Sequence, residues 1–265
     1  MTTSILDCSN YNQLSEFPIL ASSLEKLFCG NNQLSELPTL PSSLTLLDCS
    51  NNQLTELPTL PSSLKDFDCS NNQLSELPTL HSSLTFLDCS NNQLSELPTL
   101  PSSLKHLFCG NNQLTELPIL PPSSLEDFDC SNNQLTELPT LPSSLQILNC
   151  YNNQLTSLPT LPSSLEILNC SNNQLIELPT LPSSLILLDC GNNNFKYPFV
   201  VTIENINIFN KFKETFYKLK YSNKIERKFM RYRISKFKEE LIQAVFHPRR
   251  MIRYLELYDY DMCDL

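Results

Sequence analysis

The chain has 265 residues, a formal net charge of −10, 11 cysteines, 19 prolines, three glycines and no tryptophan. No apolar run approaches the roughly 20 residues that a membrane-spanning helix needs, so such a helix is excluded and a soluble protein is expected. The opening MTTSILDC already follows the pattern of what comes after it, without the charged start and apolar middle of a signal peptide. An intracellular protein is expected.

From the N-terminus to about residue 194 a 20-residue unit recurs ten times, and residues 44–63, LTLLDCSNNQLTELPTLPSS, are one copy. Cysteines mark the register at positions 8, 29, 49, 69, 89, 109, 130, 150, 170 and 190. An extra residue near Tyr11 and the doubled Pro121-Pro122 account for the two 21-residue steps. The asparagines Asn12, Asn32, Asn52, Asn72, Asn92, Asn112, Asn133, Asn153, Asn173 and Asn193 keep step. A short fixed period of this kind is the signature of a solenoid in which each unit is one coil.

The pattern LxxLxCxxNxLxxLPxLPxS predicts Leu44, Leu47, Cys49, Leu54, Leu57 and Leu60 inward. Around Leu46–Ser50, period-2 alternation sends Leu47 and Cys49 to the core and Leu46, Asp48 and Ser50 outward, as in a strand. The next strand arrives one coil later in the same direction, so the sheet is parallel. Too few residues remain for a return helix, and Pro58 and Pro61 fix φ and remove donors, so the return path is extended or polyproline-like. A lone coil buries too little to offset its ordering entropy and must stack, with strands about 4.8 Å apart. The Asn52 column fits stacking, because a buried amide has two donors and an acceptor to direct at the bends of its own and adjacent coils.

The repeat resembles the leucine-rich repeat family. Its LPxLP half is similar to the shortest subclass, found in bacterial type III effectors and in proteins of giant amoeba-infecting viruses. The resemblance covers about three quarters of the chain and implies a leucine-rich repeat solenoid with a parallel sheet on its concave face. Ten of the 11 cysteines share one inward column, where free thiols behave as small buried hydrophobes. Their parallel Cβ vectors suit disulfide torsion poorly, which points to a reducing compartment.

Comparison among the copies supplies the functional expectation. Outward return-path residues hardly change, as Gln33, Gln53, Gln73 and Gln93, and Glu36, Glu56, Glu76 and Glu96, illustrate. Variation concentrates on the strand. One outward column reads Ile5, Lys26, Leu46, Asp66, Phe86, His106, Asp127, Ile147, Ile167, Leu187, and its neighbour Asp7, Phe28, Asp48, Asp68, Asp88, Phe108, Asp129, Asn149, Asn169, Asp189. Both face the concave surface, where solenoids usually bind partners. Asp48, Asp66, Asp68, Asp88, Asp127 and Asp129 would select a basic protein, with Phe28, Phe86, Phe108 and Tyr151 as aromatic anchors and His106 beside them. Ile147, Ile167, Ile186 and Leu187 would extend the contact or receive the C-terminal segment. The alternative is that these positions merely tolerate change.

Other columns carry less. Asp48, Asp68 and Asp88 invite a metal reading, but Phe108 interrupts the run and strand positions imply no chelating loop, so no metal or other cofactor is expected. The Glu column reads as a solvated rim. Thr39, Thr59, Thr79, Thr99, Thr140, Thr160 and Thr180 form a hydroxyl ladder of the kind used in ice binding, although neighbouring prolines and acids argue against that use.

At Phe195 the repeat ends, so residues 1–195 read as the solenoid and 196–265 as a separate domain or cap. Up to residue 194 there are 3 basic and 19 acidic residues, −16, whereas residues 195–265 carry 15 basic and 9 acidic, +6. Ile208, Phe212, Phe216 and Leu219 share one helical face; Met230, Ile234, Phe237, Leu241 and Val245 share another, with Ser222 a cap and Pro248 a stop. These helices would cover the last coil or present Lys211, Lys224, Arg227, Arg231 and their neighbours to nucleic acid, an anionic membrane or an acidic protein. The ending AVFHPRRMIRYLELYDYD also resembles tails of giant-virus repeat proteins. Some effectors with similar repeats carry a ubiquitin ligase domain with a nucleophilic cysteine, but Cys263 lies two residues from the end and 70 residues are too few. With His81, His106 and His247 far apart and no CxxC, HExxH or Gly-rich phosphate loop, catalysis is not expected. End-to-end association through residues 1–10 stays open.

Overall fold

The computed structural model describes residues 4–10 and 19–195. Ten three-residue strands follow one another at the coil spacing: β1 Ile5–Asp7, β2 Lys26–Phe28, β3 Leu46–Asp48, β4 Asp66–Asp68, β5 Phe86–Asp88, β6 His106–Phe108, β7 Asp127–Asp129, β8 Ile147–Asn149, β9 Ile167–Asn169 and β10 Leu187–Asp189. Each pairs in parallel with the next in one ten-stranded sheet in sequence order. Leu47 aligns with Phe67 and Leu107 with Phe128, so the doubled proline between β6 and β7 leaves the sheet register intact. The extra residue near Tyr11, the helices expected beyond Ile208, the cap and the basic surface lie outside the described residues.

Burial follows the sequence pattern closely. Leu44, Leu47, Cys49 and Leu54 and their counterparts are buried in coil after coil, with Phe67 and Phe128 substituting for Leu at full burial. The second return-path leucine is less uniform: Leu37, Leu97 and Leu138 are buried, while Leu57, Leu77 and Leu117 sit at the margin. The cysteines from Cys29 to Cys170 are free and buried, and the end members Cys8 and Cys190 are half-buried. Burial pushes the Cys150 thiol up to about 12 and raises those of Cys49, Cys69 and Cys130 well above the ordinary range. The thiols of Cys49 and Cys109 point at the next strand's carbonyls, 3.4 Å from Asp68 O and 3.3 Å from Asp129 O.

Two further side-chain ladders tie coil to coil. Asn72 donates through Nδ2 to Cys49 O and Cys69 O, both at 3.1 Å, and its Oδ1 accepts the Leu54 N–H at 3.0 Å, a pattern repeated from Asn52 to Asn173. The preceding asparagine of each coil, from Asn10 to Asn192, adopts positive φ of 52–65°. Asparagine is one of the few residues that tolerate this left-handed bend. Ser63 Oγ donates to Leu44 O at 2.6 Å, and Ser83 and Ser103 do likewise one coil on. The prolines leave the return path without regular ladder structure, as expected.

Candidate partner-binding face

Strand register places the variable side chains in two rows across the concave sheet. Over β4 to β7 one row reads Asp66, Phe86, His106, Asp127 and the other Asp68, Asp88, Phe108, Asp129. The rows bring the aromatic residues together. The Phe86 ring centroid lies 5.6 Å from that of Phe108 with the planes at 55°, and 6.2 Å from the His106 ring at 47°. Such tilted contacts are the favoured geometry for rings. The three therefore form an aromatic centre flanked by carboxylates on both sides.

The second row has a structural duty that the sequence reading did not foresee. Asp48 Oδ1 accepts the Ser50 N–H at 3.1 Å and its hydroxyl at 2.7 Å, and Asp88 does the same for Ser90. Asp68, Asp129, Asn149 and Asn169 accept the N–H two residues on. Each side chain thus closes a local turn where its strand ends. Ser50, Ser70, Ser90, Ser131 and Ser171 are buried rather than outward as expected. Where Phe28 and Phe108 replace the acceptor, the residue two on is Gly30 or Gly110, which has no hydroxyl to satisfy.

Exposure along the face is uneven. Asp66 is exposed; Phe28, Asp48, Asp68, Phe86, His106, Ile147 and Tyr151 are half-buried. Phe108, Asp88, Asp127 and Asp129 are buried, which corrects the expectation that all the candidate residues stand open. Asp88 and Asp129 turn toward the strand exits and Phe108 packs on Phe86. Tyr151 lies past the end of β8, where its N–H meets Asn149 Oδ1 at 3.2 Å, so it borders the face instead of standing on a strand. Burial, reinforced by the Asp88 charge, pushes the Asp68 carboxyl up to about 7. Lys105 is engaged by Glu126, Nζ to Oε1 3.4 Å. Among the described residues no three or more His, Cys, Asp or Glu side chains are grouped to hold a metal ion.

Family models for leucine-rich repeats match four stretches: the two-copy "Leucine Rich repeats" model at residues 82–122 and 123–163, and the single "Leucine Rich Repeat" model at 43–64 and 164–186. Matches to the repeat models and the parallel coil-by-coil sheet agree. This is a leucine-rich repeat solenoid. Its fold is similar to that of YopM, a leucine-rich effector protein from Yersinia pestis, at 41% identity over 72% of this chain and 61% of that one, TM-score 0.65. It is also similar to the functional domain of InlJ from Listeria monocytogenes, which includes a cysteine ladder, at 25% identity over 74% of this chain and 55% of that one, TM-score 0.52. A Shigella effector leucine-rich repeat domain matches at 36% identity over 52% of this chain and 62% of that one, TM-score 0.49. This leucine-rich repeat solenoid thus spans between about half and three fifths of the length of the relatives it matches. No curated protein matches significantly. The stretches matched by the family models end at residue 186.

Proposed function

We propose that the solenoid is a protein-binding module that captures a basic protein through its concave sheet face, acting in an effector-like role inside a cell. The observation that carries this reading is the contrast between columns: the first row varies from Lys26 to Leu46 to Asp66 to Phe86 to His106, while the return-path glutamines and glutamates repeat almost unchanged. Drift alone would diversify every exposed column. The fold's similarity to a Yersinia effector supports the effector-like role, and the free thiols suit a reducing compartment. The charge contrast between −16 and +6 supports a second, additional reading in which residues 196–265 engage another component, anionic lipid or nucleic acid.

Affinity capture from lysate tests the proposal. The intact chain is set beside a variant carrying Leu46→Lys and Ile147→Lys, both on the variable row, with circular dichroism as the check on folding. Loss of a specific protein from the folded variant is the expected result. Identical captures would overturn the reading and leave the basic segment as the working surface.

A further inference from the structure

The aromatic centre on β5 and β6 combines two chemistries that packing alone has no reason to join. Phe86, His106 and Phe108 stack at 5.6 and 6.2 Å, and neighbouring strand positions on either side carry Asp66, Asp68 and Asp127. Ring faces carry negative potential and attract cations, while carboxylates beside them strengthen the same field. Lys105, one strand position before His106, has its ammonium directed at Glu126, and although Lys65 and Lys26 act on Asp66, the side chains of Asp66, Asp68, Asp88, Asp127 and Asp129 leave the lattice acidic on balance.

We infer that this lattice seats a single cationic side chain, an arginine or lysine presented by a basic peptide segment, with its charge over the Phe86 ring and between the Asp66 and Asp68 carboxylates. The inference rests on the reading that the concave face binds a protein, and it names the chemistry at one point of that face. Charge complementarity selects the occupant: an acidic segment or a nucleic acid backbone would be disfavoured by the acidic side chains of β4, β5 and β7. Phe86 is half-buried and Asp66 exposed, so both are within reach of an arriving side chain. The ionisation of Asp68 is opposed by burial and by Asp88, and a cation arriving between them relieves that opposition.

Fluorescence anisotropy with a labelled nona-arginine peptide and its citrulline counterpart, a neutral isostere, tests the inference on the full chain. The arginine peptide is expected to bind at least about tenfold more tightly than the citrulline peptide. Phe86→Ala should weaken it about tenfold and Phe86→Tyr restore it, since both rings present a face to the cation. Asp66→Asn should weaken it severalfold, whereas Glu56→Gln, an exposed acid on the return path, should leave affinity within twofold. Equal binding of the two peptides, full affinity of folded Phe86→Ala, or equal losses from Asp66→Asn and Glu56→Gln would each overturn it. If that happens while the Leu46 and Ile147 variant still loses its captured protein, the cation seat alone falls and concave-face recognition stands.

Discussion

Asn72→Ala probes the inter-coil logic most directly. The side chain donates to Cys49 O and Cys69 O at 3.1 Å and to Ser70 O at 3.3 Å, and accepts the Leu54 N–H at 3.0 Å. Truncation leaves the amide-binding carbonyls and one N–H without this partner in a buried setting. Counted as the two hydrogens that the amide donates and the one bond that it accepts, three hydrogen bonds at roughly 1–2 kcal/mol each give an expected loss of about 3–6 kcal/mol. Because each coil contacts only its neighbours, a break in the fourth coil should also divide the array. Urea unfolding followed by far-ultraviolet circular dichroism should therefore show a lower midpoint and a reduced slope or a second transition. Gln73→Ala is the control. Gln73 is exposed and its backbone N–H, which the substitution keeps, donates to Leu54 O at 2.8 Å, so a change below about 0.5 kcal/mol is expected. A loss under about 1 kcal/mol for Asn72→Ala, with one unaltered transition, would refute the claim that the asparagine column holds the coils together.

Three further outcomes are expected. Asp68 keeps its proton up to about pH 7 when folded but releases it near its ordinary 3.8 when unfolded, so the stability it supplies is full below 3.8 and lost as pH rises through 7. Asp68→Asn, which retains the oxygen that accepts the Ser70 N–H, should leave the stability read from urea unfolding unchanged near pH 3.5 and raise it at pH 8, by at most about 4 kcal/mol. Equal gains at both pH values would contradict this. Native-state maleimide labelling followed by peptide mapping should modify Cys8 and Cys190 before any of Cys29 to Cys170, because only the end members are reachable from solvent; early labelling of Cys89 would be incompatible with the buried column. Lys105→Ala should cost under about 1 kcal/mol by thermal denaturation, because its partner Glu126 is reached across solvent and side chains this exposed gain little from pairing.

Much of the fold was legible because a 20-residue period repeated ten times leaves little freedom: once Leu47 and Cys49 face inward, every coil must do the same. The role of Asn72 was readable too, since a polar residue recurring between core leucines has to find backbone partners. The role of Asp68 was harder to read. An acid on the concave face serves equally well as a partner contact or as the acceptor that closes the strand exit, and the outward direction of the side chain does not distinguish the two. Part of the signal was present: Phe28 and Phe108, the two strand ends without an acceptor, are followed two residues on by glycine, whereas Asp48, Asp68, Asp88 and Asp129 are followed by serine. The left-handed bend at Asn51, φ 54°, was equally available, because an asparagine at that place in every coil marks a conformation few other residues tolerate. The meeting of Phe86 and Phe108 needed the sheet register, since a diagonal contact between neighbouring strands depends on how the coils align.

The unbroken order of the sheet, each strand bonded only to those before and after it, also fixes how the molecule yields under load. Tension applied across the two ends of the solenoid would act on the hydrogen bonds of one terminal coil at a time, peeling it from the stack. Each released coil of 20 residues adds roughly 66–72 Å of slack chain. An elastic element of this design lengthens in near-identical steps, and its rupture force is set by the weakest exposed coil and not by the strength of the whole array.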